Sequence, residues 1–187
     1  MNLSVAVSAD WGIGFENELL FRISEDLRHF RTLTLGKVIV MGHNTLKSLP
    51  GGKPLPGRTN IVLSRQEGLK IPDAIVCNSL TALDENLQNY SPENIFIIGG
   101  EEIYAQLLNR CRYAYITKVD ACPPADAFFP NIDEMEDWRL AEESSEKFSN
   151  GISYKFCKYK HAKRALDTVD VLRGATLRLE AGYGFPG

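Results

Sequence analysis

Ile95-Phe96-Ile97-Ile98-Gly99-Gly100-Glu101-Glu102 passes from four apolar residues through two glycines to an acidic pair. Four consecutive apolar side chains leave no face for water, so residues 95–98 predict a strand covered on both faces, as parallel strands are. Gly99 and Gly100 end it. The acids that follow suit the positive first turn of a helix running to about Asn109. A buried strand leading at once into a helix is the repeating unit of an α/β sheet.

The alternation extends in both directions. Leu3 to Val7 predicts a buried first strand, and Asp10-Trp11-Gly12-Ile13-Gly14 breaks it into a loop. Ser24 predicts a helix N-cap, with Glu25 and Asp26 in the first turn of a helix to about Leu33. Lys37 to Met41 predicts a strand, Thr45 to Leu49 a short helix, and the Gly- and Pro-rich residues 51–57 a loop. Further strands are expected at Asn60 to Leu63 and Ala74 to Cys77. Leu80, Leu83 and Leu87 fall at helical spacing within about Ser79 to Asn89. Beyond Asn109 come strands without helices, at Tyr113 to Val119, 139–144 and 152–160. The expected architecture is α/β and single-domain. A mostly parallel central sheet carries helices on both faces and an antiparallel C-terminal hairpin at one edge.

A chain of 187 residues suits one domain with a good core. Its 21 basic and 24 acidic residues give a net charge of −3, no footprint for nucleic acid or an anionic membrane. No apolar run approaches the roughly 20 residues that span a bilayer, and no signal peptide is evident. Cys77, Cys111, Cys122 and Cys157 form no CxxC pair and have no histidine at ligand spacing. Structural thiols in a reducing cytoplasm are therefore expected, with no metal. The domain is expected over residues 1–161. Residues 162–187, ending in Gly182-Tyr183-Gly184-Phe185-Pro186-Gly187, read as a mobile or appended tail.

Asp26 is the central candidate for chemistry. It shares a helix face with Ile23, Leu27 and Phe30, and a carboxylate in an apolar cleft has a raised pKa suited to proton management. Leu55-Pro56-Gly57-Arg58 presents a bidentate cation at a tight turn. Gly99-Gly100 at a helix start suits a pyrophosphate, whereas Gly12 and Gly14 read as hinges of a mobile lid. His29, His43 and His161 have no partner acid at useful spacing, and no GxSxG occurs.

Four stretches together resemble the dihydrofolate reductase family: Trp11 to Asn17, Glu25-Asp26-Leu27, Leu55 to Ser64 and Ile97 to Gly100. They are collinear, and the likeness covers residues 1 to about 160. The resemblance implies NADPH-dependent reduction of 7,8-dihydrofolate to tetrahydrofolate, which feeds one-carbon carriers for thymidylate, purine and methionine synthesis. In that pattern Asp26 is catalytic: it holds the 2-amino and N3 donors of the pterin and favours protonation of N5. Thr117 supports it through a hydrogen bond. Arg58 grips the α-carboxylate of the glutamate tail, and Leu49 and Leu55 pack on the aminobenzoyl ring. Val5, Ala6, Leu19, Phe21, Leu27, Phe30 and Ile98 complete the substrate side.

For NADPH the same pattern implies Ala6, Ile13 and Gly14 along the nicotinamide, with Asn17 and Leu19 in the same loop. Gly42, His43, Asn44 and Thr45 meet the phosphates. Leu63, Ser64 and Arg65 reach the 2′-phosphate, favouring NADPH over NADH. Gly99 and Gly100 open the helix that carries Glu101, Glu102, Ile103 and Tyr104, with Ile98 and Tyr104 near the ring junction. Diaminopyrimidine antifolates would pair with Asp26, and a monomer is implied. Three positions depart from the pattern. Phe21 stands where many members have tryptophan, His43 where bacterial members commonly have arginine, and Ser24 where proline is frequent. Two rivals remain. A riboflavin-pathway pyrimidine reductase would lack the Asp26 and Arg58 pair, and a non-catalytic folate- or nucleotide-binding paralogue would carry a lesion in the acid, the glycine pair or the lid.

Overall fold

The computed structural model describes residues 1–162, and in it Ile95, Phe96 and Ile97 are buried at the middle of a sheet. From the N-terminus, strand β1 (Asn2–Val7) is followed by two short strands, β2 (Gly12–Phe15) and β3 (Glu18–Leu19), and by helix α1 (Ser24–Thr34). Strand β4 (Val38–Gly42) runs straight into α2 (His43–Ser48), and β5 (Thr59–Leu63) and β6 (Ala74–Cys77) precede α3 (Leu80–Leu87). Next come β7 (Ile95–Gly99), α4 (Glu101–Leu107), β8 (Tyr113–Val119) and the two-residue β9 (Ala127–Phe128). The strands β10 (Trp138–Glu143), β11 (Lys147–Ser149) and β12 (Ile152–His161) finish the described chain.

The main sheet runs β10-β12-β8-β1-β7-β4-β5-β6, with β11 paired to β12. From β8 to β6 every pairing is parallel, whereas β12 lies antiparallel to β8 and β10 antiparallel to β12. Successive residues of β4 point to opposite cores. Val38 and Val40 join Leu83 of α3 and Leu107 of α4, while Ile39 and Met41 join Leu46 of α2 and Leu33 of α1. Helices therefore cover both faces, and each fully buried aliphatic side chain contributes about 1.5–3 kcal/mol. Such a sheet carries its ligand crevice at the carboxyl ends of its strands, where β1, β4, β5 and β7 finish together.

Four local expectations change. The N-cap of α1 is Ile23, in extended geometry and without a side-chain cap, so Ser24 is already helical. Ile23 is buried, and the chain enters the helix from the core rather than through a surface cap. Helix α2 begins two residues earlier than expected, at His43. Helix α3 is shorter, and its cap is Ser79, whose Oγ accepts the Ala82 N–H at 3.1 Å.

The fourth change is larger. Residues 12–19 are not a loop but a hairpin turning on Glu16 and Asn17, whose φ angles of 49° and 63° are both positive, as a type I′ turn requires. Asp126 accepts the Glu16 N–H at 2.8 Å, and β9 pairs with β2 to make a second, three-stranded sheet. Gly12 in this hairpin answers to packing. A Cβ there would lie 2.7 Å from the Ala125 Cβ and 2.8 Å from the Ser8 Oγ. Close approach at Gly12 is thus a requirement of this packing. Strand β11 was also unforeseen.

The expected tail at 162–187 lies outside the described residues except for Ala162. Among the described residues no helix is long and apolar enough to cross a membrane, and all four cysteines are free. Gly12→Ala should destabilise the fold by about 1–3 kcal/mol through overpacking. Equilibrium denaturation measures this directly, and an unchanged midpoint would contradict the packing reading.

Candidate active site

A cleft of about 1450 Å³ runs along the carboxyl ends of the parallel strands. One wall is α1, which contributes Asp26, Leu27, Phe30 and Arg31. Leu27 is 47% exposed and Leu19, across the opening, 51% exposed, so large apolar surface faces the cleft rather than the core. Ile98, alone in its quartet, is only partly buried, because its side chain also lines this space.

Asp26 is half-buried, and its Oδ1 accepts a hydrogen bond from Thr117 Oγ1 at 2.5 Å. Burial raises the carboxyl above the ordinary aspartate value. The Thr117 hydroxyl, which favours the charged form, and the electrostatic effect of His29 oppose the rise. Thr117 is buried on β8 and is the one anticipated site residue that does not line the cleft; it stands behind the acid. His29 lies one turn on from Asp26 and Glu25, so the helix does bring it acid neighbours, contrary to the sequence expectation. Burial lowers its pKa and both acids raise it. Its ring sits 4.4 Å from that of Phe156.

Arg58 is held from two sides. Its Nε donates to Thr34 Oγ1 at 3.1 Å and its Nη1 to the Pro56 carbonyl at 2.9 Å, with the guanidinium 5.9 Å from the Phe30 ring centre. Thr34 passes the restraint on, donating to the Phe30 carbonyl at 2.8 Å. Burial, then the Arg31 guanidinium, pull the Arg58 pKa down from its usual value, and no arginine loses its charge at ordinary pH. The turn itself is built by Asn60, which sequence reasoning missed. Its buried amide donates to the carbonyls of Leu55 and Arg58 at 2.9 and 3.2 Å and accepts the Leu55 N–H at 3.0 Å. A buried amide within an apolar strand was the signal available.

At the other end of the cleft, the glycines that finish β4 and β7 lie where α4 and α2 leave little room for a Cβ. A Cβ on Gly42 would fall 3.2 Å from Ile103, and one on Gly100 3.1 Å from Thr45 Oγ1; Gly99 has φ of +126°. The backbone N–H groups that open α4 stand beside this bare segment, where the Gly100 carbonyl already takes those of Ile103 and Tyr104, each at 2.9 Å. These residues fit the pyrophosphate of the expected NADPH. Ser64 and Arg65 follow β5, and Arg65 pairs with Glu102 at 3.5 Å. At 90% and 73% side-chain exposure that pair is worth little by itself. Tyr104 is buried, donates to the Ser4 carbonyl at 2.7 Å and has its pKa driven far up by burial.

All the other anticipated residues line the cleft. On the substrate side they are Val5, Ala6, Phe21, Leu49 and Leu55, and toward the hairpin Ile13, Gly14 and Asn17. His43, Asn44, Leu63 and Glu101 line the far end. Arg31, Lys47 and Asp126 line it as well and were not anticipated.

A family model described as dihydrofolate reductase matches residues 1–161. The dihydrofolate reductase of Neisseria gonorrhoeae is 40% identical over 149 residues, covering 79% of this chain and 89% of that protein. That of Staphylococcus aureus is 34% identical over 143 residues, covering 75% and 85% respectively. Among solved structures, dihydrofolate reductase from Enterococcus faecalis complexed with NADP(H) and RAB-propyl superposes with a TM-score of 0.77. It covers 86% of this chain and 95% of its own at 23% identity, a likeness of fold.

The raised carboxyl of Asp26 has a consequence for stability. The folded state holds its proton above the unfolded value of 3.8, so this contribution is full below that pH and is lost as pH rises through the folded value. Asp26→Asn should therefore raise the melting temperature near neutral pH, with the gain disappearing below the unfolded value. Thermal melts across pH test this; a lower melting temperature at neutral pH would contradict it.

Proposed function

This chain belongs to the dihydrofolate reductase family, and we propose that Asp26 is the residue through which it reduces 7,8-dihydrofolate to 5,6,7,8-tetrahydrofolate. It is an NADPH-dependent oxidoreductase acting on dihydrofolate. The observation that carries the assignment of Asp26 is a half-buried carboxylate on an apolar cleft wall, anchored by Thr117 at 2.5 Å.

NADPH, when bound, supplies the hydride that C6 of the pterin receives. The chain does the rest. Asp26 accepts hydrogen bonds from the 2-amino and N3 groups, a pairing that fixes the pterin and favours a proton on N5, delivered through the pterin carbonyl and a water. Leu27, Phe30, Leu49 and Leu55 keep other water away, which strengthens the Asp26 contact. Arg58, pre-set by Thr34 and the Pro56 carbonyl, meets the α-carboxylate with parallel hydrogen bonds. A protonated diaminopyrimidine offers Asp26 the same donor pattern with a charge added, so antifolates of that class should bind here.

Gly42, Thr45, Gly99 and Gly100 would hold the pyrophosphate, and Ser64 and Arg65 the 2′-phosphate. A monomer is the state that the family resemblance implies. Four free cysteines, three of them buried, suit the reducing cytoplasm.

The test is NADPH absorbance with and without dihydrofolate. Oxidation that requires dihydrofolate and prefers NADPH to NADH is expected. Asp26→Asn should lose at least about 100-fold of it at neutral pH, with partial recovery in acid. Wild-type turnover in that variant would remove Asp26 from its role. Glu102 is a competitor of the 2′-phosphate for Arg65, so Glu102→Gln should lower the KM for NADPH about two- to fivefold and leave that for NADH unmoved. Equal effects on both coenzymes would place the 2′-phosphate elsewhere.

A further inference from the structure

Helix α1 carries the catalytic acid in its first turn, yet no side chain caps that turn. Something else must hold it. Glu25, the residue before Asp26, has both carboxylate oxygens engaged. Lys147 Nζ on β11 lies 2.7 Å from Oε1, and the Tyr154 hydroxyl on β12 donates to Oε2 at 2.7 Å. Tyr154 is buried and its ring packs edge-on against Phe156 at 5.6 Å, so this donor cannot wander. Phe156 in turn contacts the His29 ring, one helical turn beyond Glu25.

Two residues of one helix face, at i and i+4, thus meet two residues of one strand face, at i and i+2. Phe156 is also the register partner of Thr117, the residue that donates to Asp26. The β12–β8 pair therefore holds α1 at Glu25, Asp26 and His29 together. We propose that Glu25, gripped by Lys147 and Tyr154, is a positioning residue for Asp26: it ties the first turn of α1 to the C-terminal hairpin and so sets the Asp26 carboxylate against Thr117. This rests on the assignment of Asp26 as the catalytic acid.

The charged and titratable groups around this pair are Arg28 and His29 on α1, Lys147 on β11, Tyr154 on β12 and Tyr104 on α4. Lys147 and Tyr154 hold the Glu25 carboxyl below its usual range. Without them an uncompensated negative charge stands beside Asp26, and the Thr117 hydrogen bond loses its alignment. Both changes favour the protonated acid.

The experiment is the pH profile of single-turnover dihydrofolate reduction by the full-length protein and by Tyr154→Phe, Lys147→Met and Lys147→Arg. Tyr154→Phe keeps the ring and its packing and removes only the donor. The first two variants should move the apparent pKa of the reaction upward by about half to one unit and raise the KM for dihydrofolate, leaving that for NADPH unchanged. Lys147→Arg should restore the wild-type profile. Profiles superimposable on wild type, with only a lower melting temperature, would reduce the cluster to a structural anchor and overturn the proposal. Asp26→Asn run alongside separates the two ideas, since full neutral turnover there would defeat the role of Asp26 itself.

Discussion

A carboxylate asked to work in an apolar cleft loses solvation that nothing in the cleft replaces, and here the Thr117 hydroxyl is the compensating group. Its effect opposes that of burial, and the balance leaves Asp26 raised rather than depressed. Because Thr117 sits on β8 and Asp26 on α1, one hydrogen bond joins the sheet to the helix that walls the site. Most of the surrounding architecture serves this contact. The β12 strand backs β8, and its side chains hold α1 at Glu25 and His29.

The sheet decides where everything else can stand. With β1, β4, β5 and β7 parallel and finishing side by side, the backbone ends of four strands open onto one cleft. Two of those ends are glycine; the bare Cα of Gly42 lets β4 lie close to Ile103 of α4, and that of Gly100, just after β7, lets the chain lie close to Thr45 of α2. The acid lies toward one end of the cleft and the bare backbone at the other. Under the proposed function that separation suits a pterin beside Asp26 and a dinucleotide across the glycines, and Arg58 and Arg65 would meet their outer anions.

Much of this was legible in the residues, for identifiable reasons. Ile95 to Ile98 reads as a covered strand because it has no polar side. Arg58 reads as a site residue because Pro56-Gly57 fixes a turn, though the part played by Asn60 was overlooked. The hairpin at 12–19 was missed because Glu16-Asn17 lacks the glycine that marks such turns; its conformation depends on Asp126, a partner 110 residues away. Ser24 resembles a cap by type, but the burial of Ile23 overrides local preference. The partners of Glu25 lie 122 and 129 residues downstream, beyond the reach of any local pattern. Local chemistry was readable where a residue acts through its own neighbours; where folding supplies a distant partner, as Thr117 does for Asp26, only the family resemblance reached it.

The most direct measurement is a carboxyl-carbon NMR titration of the ligand-free protein, following Asp26 and, as an internal contrast, Asp10. Ser8 donates to Asp10 at 2.5 Å and holds it low, whereas burial holds Asp26 high. The account predicts an Asp26 midpoint above the ordinary aspartate value of 3.8 and an Asp10 midpoint below it. An Asp26 midpoint at or below that value would contradict the claim that the cleft prepares this carboxylate for proton chemistry.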